Sequence, residues 1–296
     1  MNQFVTLAVS GLFLGAIYSL IALGFVTVFR ATGVINFAQG SIVLAGAYLI
    51  GRTHGALGFA GAVAVGLLGT AVLAALIDIV LIRRVRDADH GTLAILTIGV
   101  DIVLLTELSR EIGTDVVGLG APWAANVVNV AGIRIPEARV VAGGVALVLV
   151  AALGIAFKYS DWGLATRSAA EDGETAALMG IRLGRIAAGA WALAGALAAI
   201  GGLFLTSFPA AGVTSDVQLT ALAVVPAVVL GGFDSPAGGV IGGLIIGVVS
   251  VLAAGYQEQL AFLGRGVGAV APFAVMLLVL LVRPSGLLGT REATRV

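Results

Sequence analysis

The sequence predicts an all-α fold: a polytopic membrane helix bundle of about eight to nine transmembrane segments, with short or broken helices. Hydrophobic residues make up 59% of the 296 residues and charged residues only 11%, and the mean hydropathy is +1.11. A soluble protein cannot cover its surface with so few charges, whereas a bilayer removes that requirement. The 43 glycines point the same way, because small residues let membrane helices pack closely.

Nine apolar segments follow one another, and their lengths are judged against about 30 Å of hydrocarbon at about 1.5 Å of helix rise per residue. The first is long enough to cross with tilt, the second and fourth are short, and the eighth is rich in glycine. The segments are Phe4–Phe29, Val34–Ile50, Ala56–Ile82, Thr92–Thr106, Val140–Phe157, Ile186–Thr206, Val217–Phe233, Ala237–Ala254 and Val267–Val282. No non-apolar stretch is long enough to form a soluble domain, so residues 1–296 are one transmembrane domain.

A polar, glycine-punctuated patch separates the first segment from the second. Asn36 and Gln39 head the second helix three residues apart, so they share one face. Their amides either line a hydrophilic path or satisfy backbone groups exposed by the break between Gly33 and Gly40. The distribution of basic residues, described below, places this break near the cytoplasmic side. Asn36 and Gln39 are therefore predicted to lie at the inner part of a path.

Three further residues interrupt apolar sequence. Asp101 lies within the fourth segment, where a carboxylate faces a cavity or pairs, either for function or for structure with Arg30 or another arginine. Asp78 precedes Arg83 by five residues and is predicted to be its interfacial partner. Pro226 breaks the seventh segment, and interrupted segments in both halves of a chain point to a transport path. The path candidates are therefore Asn36, Gln39, Asp101 and Pro226.

Basic residues predict the orientation, because they concentrate in cytoplasmic loops. Placing the loop 158–185 in the cytoplasm puts eleven basic residues inside and five outside, with the N-terminus outside and the C-terminus inside. The inner set is Arg30, Arg83, Arg84, Arg86, Lys158, Arg167, Arg182, Arg185, Arg283, Arg291 and Arg295, and the outer set is Arg52, Arg110, Arg134, Arg139 and Arg265. The loop 107–138 then lies outside, and its acidic residues face a partner or only solvent.

The cytoplasmic loop contains an amphipathic stretch with helical period from Ser168 to Met179, which Gly180 is placed to end. Two interpretations of this stretch remain open on the residues alone. It is either a solvated connector on the membrane surface or a helix that docks onto a partner subunit.

Composition and motifs exclude several classes of protein. There is no cysteine, the histidines His54 and His90 are far apart, and basic and acidic residues balance at 16 each, so we expect no metal, no cofactor and no nucleic-acid partner. A membrane-embedded enzyme would need clustered catalytic groups, and no catalytic residue is predicted. A carrier driven by protons or sodium would need more intramembrane carboxylates. No phosphate-binding loop motif is present, so ATP hydrolysis must come from partner subunits.

Four stretches together resemble the permeases of branched-chain amino-acid ABC transporters, most closely the H-type of the two paired permeases. The resemblance covers nearly the whole chain and rests on INFAQG, AAEDGETAALMGI, GGFDSPAGGVIGG and the terminal RPSGLLG. It implies a multi-pass permease of the bacterial inner membrane that forms the pathway for branched-chain or related amino acids. Relatives in the superfamily that carry urea, short amides or other amino acids remain the alternative.

The resemblance also implies partners. These are a second permease subunit in a heterodimer or a homodimer, two cytoplasmic ATPases, a periplasmic or lipid-anchored substrate-binding protein, and membrane lipid. It assigns residues 169–181 to the loop that docks into the ATPase. The predicted coupling residues are Ala169, Ala170, Glu171, Asp172, Glu174, Ala177 and Gly180.

Overall fold

Apolar helices dominate the computed structural model, which describes residues 3–85, 88–123, 126–130, 133–207, 212–260 and 266–289. Within these ranges, six helices are long and apolar enough to cross a membrane, and two shorter apolar stretches accompany them. The helices are α1 (Gln3–Thr32), α2 (Gln39–Val80), α3 (His90–Ile112), α4 (Glu137–Tyr159), α5 (Asp161–Glu171), α6 (Gly173–Leu178), α7 (Leu183–Leu205), α8 (Val217–Leu222), α9 (Val225–Gly231), α10 (Pro236–Gly255) and α11 (Val267–Val282).

Helix α2 folds back on itself at Gly58, which has a non-helical backbone with φ 68°. A Cβ placed on Gly66 would lie 3.3 Å from the carbonyl oxygen of Gly46. In a straight helix these residues would be about 30 Å apart, so the two arms of α2 run antiparallel. The arms correspond to the second and third apolar segments, which the sequence separates correctly.

Helices α1 and α7 form the interior of the bundle, whereas α3 and α4 lie at its periphery. In the most apolar window of each helix, 72% of α1 and 61% of α7 is buried, against 11% of α3 and 17% of α4. Glycine explains how α1 and α10 approach so closely. A Cβ on Gly243 would lie 2.5 Å from Ser19 Oγ, and one on Gly247 would collide with Gly15. The close packing predicted for the glycine-rich segment is present.

The first and last described helices have their outer ends at opposite ends of the bundle. The end that carries α5, α6 and the turn Ile82–Arg84 is here called the basic end. Helix α11 also finishes there, since the Leu288 N–H donates to Gly231 O at 3.1 Å and the nearby Asp234 lines a cavity with Arg167 and Glu171 of α5. Helix α1 starts at the opposite end, where Gln3 Nε2 donates to Gly255 O at 3.4 Å. The start of α1 and the end of α11 thus lie at opposite ends of the bundle, and the predicted orientation in the membrane stays a prediction. Of the basic residues counted, Arg86, Arg265, Arg291 and Arg295 lie outside the described residues.

Three local expectations need correction. The loop 107–138 is not irregular throughout, because α3 continues to Ile112 and an antiparallel hairpin follows, β1 (Val127–Val130) paired with β2 (Ile133–Pro136). This hairpin is an exception to the all-α prediction. The seventh segment breaks at residues 223–224, between α8 and α9, rather than at Pro226. Pro226 lies in the first turn of α9, where its missing N–H and fixed φ are tolerated.

Candidate functional site

Asn36 holds the break between α1 and α2 through local hydrogen bonds. The Ala38 N–H donates to Asn36 Oδ1 at 3.1 Å, and Asn36 Nδ2 donates to Gln39 Oε1 at 3.0 Å. Thr97 of α3 satisfies the same turn, since the Phe37 N–H donates to its Oγ1 at 3.1 Å. Asparagine side chains favour such bonds to nearby backbone. Asn36 therefore satisfies backbone exposed by the break, which was one of its two predicted roles.

Gln39 crosses to the middle of the bundle. Its Nε2 donates at 3.2 Å to the carbonyl oxygen of Ala194, the central residue of α7. Gly24 makes room for this side chain, because a Cβ at that position would lie 2.7 Å from Nε2. The expectation that Asn36 and Gln39 lie near one end of the bundle is wrong. The chain re-enters the bundle after Thr32, which a one-dimensional count of segments does not detect.

Asp101 is the central residue of α3 and ties three elements together. Ser41 Oγ donates to its Oδ1 at 2.6 Å and the Ser41 N–H donates to the same oxygen at 3.3 Å. Gln218 Nε2 of α8 donates to Asp101 Oδ2 at 2.9 Å. The partners of this carboxylate among the described residues are thus a hydroxyl, an amide and a helix N-terminus, and not Arg30.

Gln218 leaves one polar atom unsatisfied. Its side chain is only 3% exposed, and its Oε1 has no hydrogen-bond partner among the described residues. Turning the Gln218 amide over would place its oxygen against an oxygen of the Asp101 carboxylate, which is repulsive. The carboxylate therefore fixes the orientation of the Gln218 amide. An unsatisfied buried acceptor costs about 1–3 kcal/mol, and such atoms call for a functional explanation.

Asn36, Gln39, Ser41, Thr97, Asp101 and Gln218 form a polar cluster at mid-height in an otherwise apolar bundle, here called the central cluster. Two interrupted elements meet there from opposite directions. From this level the first arm of α2, up to Gly58, leads away from the basic end. Helices α8 and α9 lead toward that end, because Leu230 O accepts a hydrogen bond from the Leu287 N–H at 2.8 Å. Interrupted helices at mid-membrane depth are the arrangement by which many transporters expose polar groups to a substrate.

Hydrogen bonds link Asn36 with Gln39, and Asp101 with Ser41 and Gln218, as two groups at the same level of the bundle, and Pro226 belongs to neither. The sequence reasoning missed Gln218 and Thr97. Gln218 is a polar residue at the head of the seventh apolar segment, and that was the available signal. Thr97 gave no such signal, because a lone threonine in a membrane helix usually bonds its own preceding turn.

At the basic end, the predicted helix from Ser168 to Met179 is two helices, α5 and α6, broken at Asp172 (φ −152°). Asp172 is the N-cap of α6. Its Oδ1 accepts from the Thr175 N–H at 3.0 Å and its Oδ2 from the Thr175 hydroxyl at 2.6 Å. These bonds lower the pKa of the exposed Asp172 carboxyl below its ordinary value. Gly180 (φ 89°) follows α6, as predicted for a helix end.

Helix α6 ends in an apolar projection. Leu178 is 89% exposed and Met179 is 80% exposed, whereas Ala176 is buried. The helical period of residues 168–179 predicts an apolar side that includes both Ala176 and Met179, and the exposure of Met179 contradicts that. Among the predicted coupling residues Ala169 is half-buried, and the exposed ones are Ala170, Glu171, Asp172, Glu174, Ala177 and Gly180. Two adjoining apolar side chains this exposed, outside the membrane-spanning helices, form a candidate interaction surface.

An ion pair between the half-exposed Arg83 and the buried Asp78 anchors this region to the bundle. Arg83 Nη2 lies 2.9 Å from Oδ2 of Asp78, which is 2% exposed, so the predicted partnership of these two residues is confirmed. The same nitrogen donates to Gly184 O at 2.6 Å, at the start of α7. Asp78 and Arg83 also line a cavity of about 630 Å³ with Asp172 and Glu174. The end of α2 and the segment after α6 are therefore held together.

Comparison with known proteins identifies relatives along almost the whole chain. Residues 7–282 match the family described as "Branched-chain amino acid transport system / permease component". The chain is 33% identical to the high-affinity branched-chain amino acid transport system permease protein LivH of Escherichia coli strain K12, with 97% of this chain and 96% of that protein covered. It is 28% identical to BraD, a permease protein of the same description from Pseudomonas aeruginosa, with the same shares covered.

One solved structure supports the fold. It is titled "PsaBC from Streptococcus pneumoniae in complex with Fab", and the match has a TM-score of 0.54 at 14% sequence identity. The match covers 96% of this chain and 94% of that one. At 14% sequence identity, this similarity supports only the arrangement of the helices.

Proposed function

Because the chain belongs to the branched-chain amino acid permease family, we propose that it is the transmembrane permease subunit of an ATP-binding-cassette importer. In this proposal it forms a pathway for branched-chain or related amino acids across the bacterial inner membrane, and partner subunits hydrolyse ATP. The observation that carries the proposal is the family match over residues 7–282, together with relatives of the same description that align from end to end.

The central cluster is the polar part of the proposed pathway. An amino acid has a zwitterionic head, and the Asp101 carboxylate and Gln218 Oε1 offer acceptors for its ammonium group in apolar surroundings. The apolar helices around the cluster suit an aliphatic side chain. Pro226 lies in the first turn of α9, which leads from the cluster to the basic end, and this position along the proposed pathway is its part in the proposal.

The segment from α5 to Gly180 is the proposed docking site for the ATPase. Leu178 and Met179 are the contact, and Glu171 and Glu174 flank it with negative charge. Arg83 carries a displacement of this segment into the bundle, because it bonds both Asp78 of α2 and the start of α7. The basic end is then cytoplasmic. The opposite end receives a substrate-binding protein, and a second permease subunit completes the complex.

Substrate-stimulated ATP hydrolysis tests this function. The chain is co-expressed with the neighbouring permease, ATPase and binding-protein genes, and the complex is reconstituted in proteoliposomes. We expect the binding protein with leucine, isoleucine or valine to stimulate ATP hydrolysis and uptake. Stimulation by urea or a short amide, with none by amino acids, would assign the chain to a related importer instead. Uptake by this chain alone would refute the importer assignment.

Leu178→Asp tests the docking site separately. A charge at this 89% exposed position leaves the bundle intact and disrupts an apolar contact, so we expect the ATPase to be lost on co-purification. Glu171→Ala with Glu174→Ala should weaken the same association less. Leu288→Asp is the matched control, since Leu288 is also exposed at the basic end but follows α11. Full retention of the ATPase by Leu178→Asp would exclude α6 as its docking site.

A further inference from the structure

An apolar groove on the outside of the bundle runs from the basic end between α1, α4 and α10. It has a volume of about 520 Å³. Its walls include Leu23 of α1, Val150 and Leu153 of α4, and Val240 and Ile241 of α10. Helix α4 is peripheral, with 17% of its most apolar window buried, so the groove faces the bilayer.

Two cations stand at the end of this groove. Lys158, the only lysine in the sequence, and Arg167 both line it, and no carboxylate among the described residues does. Arg167 is held in place because its guanidinium donates to the carbonyl oxygens of Phe157 and Lys158 at the end of α4. The Lys158 ammonium lies 5.1 Å from the Tyr159 ring centroid and is otherwise exposed.

The dimensions of the groove match a lipid in one leaflet. From Val150 to Lys158 the helix rises about 12 Å, close to the thickness of one hydrocarbon leaflet of about 15 Å. The cations therefore lie at headgroup level when the apolar walls lie in the hydrocarbon. Basic pockets between membrane helices at this level attract anionic headgroups. We propose that this groove binds one anionic phospholipid, with its phosphate on Lys158 and Arg167 and an acyl chain between α4 and α10.

A soluble anion fits this place less well. In the adjoining cavity of about 730 Å³, Arg30 and Arg167 face Glu171 and Asp234, so a soluble anion there meets no net positive charge and has no apolar anchor. The acyl chain supplies that anchor, because the walls of the groove offer apolar contact along its length. A phospholipid satisfies the cations and the apolar walls together, and this assignment does not depend on which substrate the protein carries.

Gly154 gives a direct test of the groove. It lines the groove in the middle of its α4 wall, and a Cβ there would meet no atom within 4 Å. Gly154→Phe therefore fills the groove without displacing backbone. Gly144 is the matched control, because it lies in the same helix, also has open space at its Cβ, and does not line the groove. Lys158→Gln removes one cation and leaves the groove open.

The measurement is native mass spectrometry of the purified permease complex with phosphatidylglycerol or phosphatidylethanolamine of identical acyl chains. We expect the wild-type complex to retain phosphatidylglycerol preferentially. Lys158→Gln should lower that preference about fivefold, which corresponds to about 1 kcal/mol for one cation near an anionic lipid. Gly154→Phe should lose both lipids, and Gly144→Phe should behave as the wild type.

Several outcomes would overturn the proposal. Equal retention of both lipids by the wild type would reduce the groove to an ordinary boundary-lipid position. Unchanged retention by Gly154→Phe, or equal loss in Gly144→Phe, would place the lipid elsewhere. A groove covered by a partner subunit in the complex would show protection of Lys158 from amine labelling that persists after delipidation. If Gly154→Phe fails to fold, Lys158→Gln still decides, because this exposed side chain makes no core contact.

Discussion

Exchanging the carboxylate and the amide between Asp101 and Gln218 tests the central cluster. Gln218→Glu alone places two carboxylates where a hydrogen bond of 2.9 Å now joins Gln218 Nε2 to Asp101 Oδ2. Asp101→Asn alone removes the charge but lets the Gln218 amide turn over and accept. The double variant restores a charge-assisted hydrogen bond with donor and acceptor exchanged, while the Ser41 hydroxyl keeps its acceptor.

The magnitudes follow from the bonds involved. A hydrogen bond to a charged group contributes about 1.5–3 kcal/mol and a neutral one about 1 kcal/mol. Gln218→Glu loses the bond and adds like-charge repulsion, so we expect about 3 kcal/mol of destabilisation. Asp101→Asn should cost about 1 kcal/mol. The double variant should cost about 2 kcal/mol, because the second oxygen of the relocated carboxylate inherits the unsatisfied position of Gln218 Oε1. The coupling energy is then about 2 kcal/mol.

The free energy of unfolding of the four proteins in mild detergent, with melting temperature as a second readout, measures this cycle. Substrate-stimulated ATP hydrolysis of the same variants shows whether the cluster matters for transport. The Gln218→Glu protein should be the least stable of the four. A double variant that costs the full sum of the two single changes would show that Asp101 and Gln218 do not interact, and would refute the hydrogen-bonded cluster.

Three further predictions concern local contacts. Gly24→Ala should lower the melting temperature, because its new Cβ displaces Nε2 of Gln39 from the carbonyl it bonds. Arg83→Met should cost about 3 kcal/mol in free energy of unfolding by leaving the buried Asp78 carboxylate unpaired, and adding Asp78→Asn should recover most of it. The pKa of Asp172 is lowered in the folded chain, so its stabilisation of α6 is present above the ordinary aspartate pKa of about 4 and is lost as pH falls through the folded value. Hydrogen exchange in α6, corrected for intrinsic rates, measures that loss.

Each of these predictions has a matched control. Gly144→Ala adds the same methyl group where there is open space and should be neutral or slightly stabilising. Arg84→Met removes the neighbouring charge in the same turn without touching the Asp78 pair. Glu171→Ala removes an acid next to Asp172 and leaves the cap of α6 in place. If a control variant lowers the measured stability or protection as much as the variant it is matched with, the contact assigned to that variant is contradicted.

The features that depend on short stretches of chain were predictable. The apolar segments are long runs, and helix formation in an apolar medium needs only backbone bonds within each run. The Asp78–Arg83 pair lies five residues apart at a helix end, and Gly180 ends α6 through its own backbone preference. The break at Asp172 was missed because its side chain competes with the helix by capping the next one, which the helical period of the stretch did not reveal.

What the sequence by itself determined is the polytopic helix bundle, the family and the site of the polar break after α1. What only the tertiary structure decided is where that break lies and what it meets: Gln39 reaches the middle of α7, and Asp101 meets Ser41 and Gln218 rather than an arginine. The reason is physical. The hydropathy of a stretch indicates whether that stretch lies in lipid or in water. A polar group inside a bundle instead finds its hydrogen-bond partner on helices distant in sequence, and only the packing of those helices decides which groups lie at the same depth in the membrane.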